Sequence, residues 1–273
     1  MLSASAITRI ILLATAALFA AGVWPAAAAA ASDERICGRA SGDVAIRACT
    51  RLIDFGKIKG RALAIFHIKR AVERSKAGKS SDAIADYERA ISLAPNSVLA
   101  FYGRGVLYNK LGDSERAVAD YTEAIKHNPK LAAAYQARGD VHRAKDDNDK
   151  AIADYSAALK LDPRLVLSYT RRGNAYRAKG DNERAIADYT AAVKLDRKFA
   201  PAYSNRGRAY LNVDKIDLAL ADFEAGLKIE PREPHGLFGR GTAKLKKGDT
   251  AGGQADLDAA KKIQADISEK FSR

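Results

Sequence analysis

The chain has 273 residues, with 46 Lys and Arg against 33 Asp and Glu, which gives a formal net charge of +13. It contains two cysteines and four scattered histidines, and none of these has a partner at metal-ligand or catalytic-triad spacing. The histidines are His67, His127, His142 and His235. We therefore predict a protein that is not an enzyme and that holds no metal and no cofactor.

Residues 1–31 have the pattern of a secretory signal peptide. Arg9 gives a positive start, residues 10–24 are apolar except for Thr15, and Pro25 leads into alanines that end at Ala31. We predict cleavage near Ala31, a periplasmic or secreted mature chain of net charge +12 (45 Lys and Arg against 33 Asp and Glu), and no stable membrane span. An uncleaved anchor is the alternative, because residues 10–31 are long enough to cross a bilayer. Pro25 and the weakly hydrophobic alanines argue against it.

Both cysteines, Cys37 and Cys49, follow this segment and flank Gly42. In an oxidising compartment such a pair predicts a disulfide, which would stabilise so short a loop by about 3 kcal/mol in the chain-entropy model. Residues 45–50 also match residues 117–122 of a helical segment described below, with Cys49 in the place of Tyr121. We predict that residues 32–63 form a partial helical hairpin closed by this disulfide. Two buried free thiols are the alternative.

The rest of the chain repeats with a period of 34 residues. Five glycines, each preceded by arginine, follow this period: Gly105, Gly139, Gly173, Gly207 and Gly241. Six aspartates, each followed by Tyr, Phe or Leu, follow it too: Asp86, Asp120, Asp154, Asp188, Asp222 and Asp256. A fixed period in this range predicts a helical-repeat solenoid, in which each repeat buries its apolar face only against its neighbours.

Residues 98–130 show the unit most clearly. Phe101, Arg104 and Tyr108 recur at the three- and four-residue spacing of one helix face. Gly112-Asp113 ends this helix and can cap the next, because glycine tolerates the backbone of a helix end and aspartate is a favoured cap. A second amphipathic stretch then runs to Asn128-Pro129, where proline ends it. Each repeat is therefore predicted to be a pair of antiparallel helices.

These positions resemble the tetratricopeptide repeat (TPR) pattern. The large residues of the first helix are Phe101, Tyr135, Tyr169, Tyr203 and Leu237. The small residues of the second helix are Ala83, Ala117, Ala151, Ala185, Ala219 and Gly253. The aromatic positions hold Tyr87, Tyr121, Tyr155, Tyr189, Phe223 and then Leu257, and the closing prolines are Pro95, Pro129, Pro163 and Pro231.

The resemblance implies an all-α, right-handed superhelical solenoid of helix–turn–helix units. Six units fill residues 64–267, since these 204 residues divide into six repeats of 34, and residues 268–273 form a C-terminal tail. The last unit departs from the pattern, with Lys244 in place of an aromatic and Gly252-Gly253 inside the second helix. We expect it to be a terminal cap, and we expect residues 261–273 to lengthen its final helix.

An arginine precedes the glycine position in every repeat, which offers two interpretations. These arginines are Arg70, Arg104, Arg138, Arg172, Arg206 and Arg240. They could form a phosphate-binding stripe, but buried charges are nearly always paired and a guanidinium suits a carboxylate. We therefore predict that they pair with the periodic aspartates, within a repeat or between adjacent repeats.

The resemblance also implies that ligands bind the first helices at their second, fifth, sixth, ninth and twelfth places. In repeats three to five these places include Gln136, Asp140, Arg143, Thr170, Arg171, Asn174, Arg177, Ser204, Asn205 and Arg208. Four arginines against one aspartate favour an extended acidic peptide or a free C-terminal carboxylate. Thr170 and Ser204 stand where the carboxylate clamp of chaperone-binding members has lysines, so that specificity is not expected.

The predicted function is a non-catalytic protein–protein interaction scaffold that binds an acidic peptide and that could also form homo-oligomers. The alternative without a binding function is that these residues form an ordinary solvated polar surface. The functional alternative is a binder of nucleic acid or another anionic polymer, which the net charge of +13 and a sequence pI near 9.7 suggest. Export argues against nucleic acid, and the basic residues are spread over all repeats rather than focused in one patch.

Overall fold

The computed structural model describes residues 23–272, which form fifteen helices and no strand. The chain divides into two compact units after His127. The described helices of the first unit are α1 (Val23–Arg39), α2 (Gly42–Asp54), α3 (Gly60–Lys76), α4 (Ser80–Leu93), α5 (Val98–Lys110) and α6 (Ser114–His127). Those of the second are α7 (Ala132–Ala144), α8 (Asn148–Leu161), α9 (Val166–Ala178), α10 (Asn182–Leu195), α11 (Ala200–Asn212), α12 (Ile216–Ile229), α13 (Pro234–Lys246), α14 (Thr250–Ile263) and α15 (Ile267–Ser272).

The helices pair as the repeat pattern predicts, which confirms the all-α repeat architecture. From α5 onward the first helix of each repeat has 13 residues and the second has 14. One residue in each intervening turn has positive φ: Gly112, Asp146, Gly180, Asp214 and Gly248. Asp146 (φ 58°) and Asp214 (φ 56°) adopt there the left-handed backbone that glycine adopts most easily. The repeat thus keeps its turn geometry even where the sequence loses glycine.

The periodic glycines lie where a second-helix aromatic ring meets the first helix. Tyr121, Tyr155, Tyr189 and Phe223 are the largest fully buried side chains of the described chain. A Cβ atom on Gly173 would lie 2.7 Å from Cε1 of Tyr189, and one on Gly105 would lie 2.9 Å from Cε1 of Tyr121. Such distances are shorter than van der Waals contact, so the ring can approach the helix this closely only where a side chain is missing.

The periodic arginines pair with the periodic aspartates, which confirms the structural interpretation of both sets. In each repeat the Arg Nε and Nη2 groups donate to the two carboxylate oxygens of the Asp 16 residues later, at 2.6–3.0 Å. Hydrogen bonding to Asp188 raises the pKa of Arg172, although burial opposes the shift. We call these six bidentate pairs the Arg–Asp ladder. They are Arg70–Asp86, Arg104–Asp120, Arg138–Asp154, Arg172–Asp188, Arg206–Asp222 and Arg240–Asp256.

The ladder also contacts the preceding repeat within each unit. Nη1 of Arg206 donates to the hydroxyl of Thr190 at 3.0 Å, and Nη1 of Arg172 donates to the hydroxyl of Ser156 at 3.0 Å. One guanidinium therefore joins three helices, which suits a stack of nearest neighbours.

The N-terminal hairpin has the predicted disulfide, between Cys37 on α1 and Cys49 on α2. Both cysteines are buried together with Leu52 and with Phe66 of α3. The backbone amide of Gly42 donates to the Glu73 carboxylate at 2.7 Å, so the hairpin is also anchored on α3 by a hydrogen bond. These contacts make α1 and α2 a partial repeat that covers the apolar end of the first unit.

Helix α1 runs through the predicted cleavage position near Ala31. Residues 1–22 lie outside the described residues, so the signal peptide and its cleavage stay predictions. Along residues 23–272 no helix is both long and apolar enough to cross a membrane. Helix α3 starts at Gly60, four residues before the first predicted 34-residue unit.

The expectation that residues 261–273 lengthen the last helix is wrong. Helix α14 ends at Ile263, and Gln264 has an extended backbone (φ −143°, ψ 104°). The chain then forms α15, whose Ile267 is buried with Leu227 and Leu237. Burying the Ile267 side chain contributes about 1.5–3 kcal/mol to folding. This gain is larger than the stability that one or two further turns of exposed helix would add.

Candidate functional site

The predicted binding residues of repeats three to five lie on α7, α9 and α11, the first helices of three successive repeats. We call the face that carries them the groove face of the second unit. Five of the ten predicted residues come together around one cavity of about 320 Å³. They are Arg143, Asn174, Arg177, Asn205 and Arg208.

Four further residues complete the wall of this cavity, which we call the cationic pocket. They are Asp146, Asn148, Ala178 and Lys270. The lining therefore includes four cationic side chains and one carboxylate. Lys270 also forms an ion pair with Asp266, four residues earlier in the chain, at 2.8 Å. Cations gathered in a cavity raise the local concentration of anions, because the low-dielectric wall focuses their field.

Arg208 is the most unusual residue of the pocket. It is only 8% exposed, and its Nη2 group is buried without a hydrogen-bond acceptor among the described residues. Its guanidinium lies 5.0 Å from the centre of the Phe271 ring, a cation–π contact. Burial and, to a smaller extent, the charge of the neighbouring Arg177 lower the pKa of Arg208 to about 10, although Tyr189 opposes the shift. The fold therefore holds a charge here that it does not neutralise with a carboxylate.

Tyr189 connects the pocket to the repeat core. Its ring packs against Gly173, and its hydroxyl donates to Oδ1 of Asn174 at 2.7 Å. Burial raises the pKa of Tyr189 to about 12, while the charge and the hydrogen bond of Arg177 oppose the shift. A rigid core side chain thus orients both Asn174 and Arg177.

The electrostatic environment of His235, which includes three of the pocket cations, favours a neutral imidazole. Its Nδ1 atom is buried and has no hydrogen-bond partner in the described chain. Burial lowers its pKa, and the charges of Arg208, Lys270 and Arg177 lower it further, while Glu233 opposes the shift. A fifth cation is therefore disfavoured next to the four that line the pocket.

Two other predicted residues, Asp140 and Arg171, neutralise each other. Nη1 of Arg171 donates to Oδ2 of Asp140 at 2.7 Å, and the Tyr155 hydroxyl donates to Oδ1 of the same carboxylate at 2.7 Å. Burial raises the pKa of Asp140, although Tyr155, Arg171 and Arg143 oppose the shift. This pair lines no part of the cationic pocket, and both carboxylate oxygens of Asp140 already accept hydrogen bonds.

The last three predicted residues also make internal hydrogen bonds. Gln136 accepts from the Ser168 hydroxyl at 2.8 Å, and the buried Ser204 donates to the Glu233 carboxylate at 3.0 Å. The Thr170 hydroxyl donates back to the Val166 carbonyl at 3.0 Å within α9. The structure therefore places these side chains on the groove face but outside the pocket.

Sequence reasoning missed the contribution of α15 to the pocket. Lys270 lines the cavity, and Phe271 packs on Arg208 and on the Phe238 ring, 5.0 Å away between centroids. A signal was present: Ile267 and Phe271 are four residues apart, so they share one face of any helix formed after Gln264. That apolar face predicts docking rather than simple extension of α14.

On the first helices of the first unit, the second and ninth of these places hold exposed apolar side chains. Ile65 and Val72 on α3 are 50% and 36% exposed. Leu99 and Val106 on the neighbouring α5 are 66% and 44% exposed. This exposed apolar face differs from the cationic groove face of the second unit.

Within residues 23–272, no three His, Cys, Asp or Glu side chains are grouped closely enough to hold a metal ion. The periodic arginines and aspartates are engaged in the Arg–Asp ladder. What the described surface offers to a ligand is therefore charge, hydrogen-bond donors and the apolar face of the first unit.

Profiles of the tetratricopeptide repeat family match five segments of the chain. One described as "TPR repeat" matches residues 75–112, 139–176 and 173–214. Two described as "Tetratricopeptide repeat" match residues 98–131 and 200–233. The chain belongs to the tetratricopeptide repeat family. A search of curated proteins found no match.

Solved structures with similar folds are also TPR proteins. YrrB, described as "a TPR protein with an unusual peptide-binding site", is 22% identical, with a TM-score of 0.57 over 66% of this chain and 93% of its own. A tetratricopeptide repeat protein from Parabacteroides merdae is 18% identical, with a TM-score of 0.61 over 84% and 90% of the two chains. Pseudomonas aeruginosa PilF is 12% identical, with a TM-score of 0.64 over 77% and 96%. At these identities the likeness shows the fold alone.

Proposed function

We propose that this protein is a non-catalytic interaction scaffold that binds an extended acidic peptide on the groove face of its second unit. The observation that carries this proposal is the cationic pocket, where four cationic side chains and three asparagines accompany a single carboxylate among the described residues. Arginine forks suit carboxylates, and asparagine amides can bind the backbone of an extended peptide.

The arginines differ in whether the fold pairs them with a carboxylate, and this difference supports a ligand-binding role for the pocket. Arg172 and Arg206 each have a dedicated aspartate at 2.7–2.8 Å. Arg143 and Arg208 have no carboxylate within 4 Å among the described residues. Charges that the fold leaves uncompensated are available to an anionic partner, and this gain in pairing strengthens binding.

The compartment is the second part of the proposal. The segment of residues 1–31 and the Cys37–Cys49 disulfide support export to an oxidising compartment, the periplasm or the extracellular space. The partner is then a protein or peptide of that compartment.

Binding should be modest, on the order of micromolar or about −8 kcal/mol, because ordering a flexible peptide offsets much of the contact energy. A random peptide display selection against the purified protein tests the proposal. We expect the selected peptides to be rich in Asp and Glu, and we expect Arg177→Ala/Arg208→Ala to abolish the enrichment.

The alternative, a binder of anionic polymers, gives a different result in the same assay. Polyanions such as heparin would then bind with a steep salt dependence, and the pocket variant would bind them as well as the unaltered protein does. That result, together with a selection that enriches no acidic sequence, would contradict the proposed function.

A further inference from the structure

We propose that the cationic pocket is a site for a phosphate monoester, a tetrahedral dianion, rather than for a single carboxylate. This inference rests on the proposed function, since it names the ligand chemistry of the same groove face. Three features of the pocket carry it: its charge, the directions from which its donors come, and the buried guanidinium of Arg208.

The first feature is the excess of positive charge. Arg143, Arg177, Arg208 and Lys270 line the cavity, and among the described residues Asp146 is the only carboxylate in its wall. Lys270 is partly compensated by Asp266, but neither Arg143 nor Arg208 has a carboxylate within 4 Å in the described part of the chain. A peptide carboxylate brings a charge of about −1, whereas a phosphate monoester brings about −1.5 to −2 at neutral pH.

The second feature is that the donors come from four separate helices. Arg143 lies on α7, Arg177 on α9, Arg208 on α11 and Lys270 on α15. A carboxylate is planar and has two oxygens, so it pairs best with one guanidinium fork. A phosphate monoester presents three strong acceptor oxygens arranged as a tetrahedron, which suits donors that surround a cavity.

The third feature is the buried guanidinium. Arg208 lines the cavity and is 8% exposed, and its Nη2 group has no acceptor in the part of the chain that the structure describes. A buried donor without a partner destabilises the fold, and so does a second cation beside it. The pKa of Arg208, which burial and Arg177 lower to about 10, is consistent with this strain. A bound dianion would supply the missing acceptor and the missing charge together.

Calorimetric titration of the full-length protein at low ionic strength tests the inference with four probes. One probe is inorganic phosphate. The other three are short glycine–alanine peptides that differ at a single position, which holds phosphoserine, serine or glutamate. We expect the phosphoserine peptide to bind about tenfold more tightly than the glutamate peptide, because a dianion pairs with more of the cations. The serine peptide should not bind measurably.

Matched variants locate the binding. Arg143→Gln/Lys270→Gln removes two exposed cations of the pocket, and we expect it to weaken phosphoserine-peptide binding by about tenfold or more. Lys160→Gln/Lys194→Gln removes two exposed cations outside the pocket in the same unit and should change binding by less than about twofold. The buried Arg208 is tested separately with Arg208→Met, which preserves the volume and removes the charge.

Each outcome distinguishes the inference from the proposed function. Inorganic phosphate that binds as tightly as the phosphoserine peptide supports the site and identifies free phosphate as its source. Equal affinities for the glutamate and phosphoserine peptides, both lost in the pocket variant, would overturn the phosphate inference and leave the proposed function standing. No pocket-dependent binding of either acidic peptide would overturn both. An equal loss in the control variant would show non-specific charge attraction and would overturn the inference.

Discussion

The two units share one internal framework but present different groove faces. In both, a bidentate Arg–Asp pair joins the helices of each repeat, as Arg104–Asp120 does in the first unit and Arg172–Asp188 in the second. On the groove face, however, the first unit exposes Leu99 and Val106 among other apolar side chains, whereas the second gathers four cations around a cavity.

This difference shows which positions of a repeat are constrained by folding and which are not. Glycine, aromatic, arginine and aspartate positions are fixed by contacts within the stack, so they recur every 34 residues. Groove-face positions do not make these recurring contacts, so their chemistry can change from repeat to repeat without loss of the fold. Ligand chemistry is therefore expected at positions that break the period.

The largest expected effect comes from breaking the shared framework. Asp120→Ala and Asp188→Ala each leave a largely buried guanidinium without its carboxylate, so each should lower the free energy of unfolding by about 3 kcal/mol. Urea denaturation followed by circular dichroism measures both. Similar losses in the two units would support a common framework.

An exposed ion pair serves as the control. Arg164 is 83% exposed and lies 3.5 Å from Asp162, so Arg164→Ala should cost less than about 0.5 kcal/mol. Losses for Asp120→Ala or Asp188→Ala as small as this would mean that the ladder is a surface feature and would contradict the shared framework.

The second prediction concerns a feature of the first unit alone. Cys37→Ser/Cys49→Ser should destabilise the N-terminal hairpin by about 3 kcal/mol, because the disulfide limits the freedom of the unfolded segment. Hydrogen exchange should rise in α1 and α2 and stay unchanged in α7 to α14, since stability in repeat arrays is mostly nearest-neighbour. Faster exchange throughout the second unit would show coupling that the repeat framework does not provide.

The smallest expected effect has the opposite sign and belongs to the second unit. Arg208→Met replaces a buried, unneutralised charge with an apolar chain of similar length, so it should raise the free energy of unfolding by about 1 kcal/mol. Binding of acidic ligands should weaken at the same time, a trade-off typical of functional sites. A melting temperature that falls in this variant would instead assign Arg208 a structural role.

Much of the fold was predictable because the 34-residue period repeats the residues that define each helical hairpin. Gly105 and its counterparts, the aspartates and the closing prolines indicated helical hairpins, and residue pairing rules indicated the Arg–Asp ladder and the disulfide. The docking of α15 was not predicted, because it depends on contacts such as Phe271 with Phe223, nearly 50 residues away, which periodicity does not encode.

The site was predictable only in part, for a physical reason. The family resemblance implied that all ten predicted residues lie on one face of the first helices, but it did not show how neighbouring repeats use their side chains. Asp140 and Arg171 neutralise each other across 31 residues, and Ser204 binds Glu233 across 29. Such pairings depend on the rotamers of facing helices, so only the structure shows which groove residues remain for a ligand.

The central claim is that the two sets of arginines have separate roles, the ladder for stability and the pocket for binding. The most direct test compares Arg172→Ala/Arg206→Ala with Arg177→Ala/Arg208→Ala, by thermal unfolding and by affinity for a selected acidic peptide. We expect the ladder pair to lower the melting temperature, and the pocket pair to weaken binding by about 2 kcal/mol or more with helicity unchanged. Loss of binding without loss of stability in the ladder pair, together with unchanged binding in the pocket pair, would contradict this assignment.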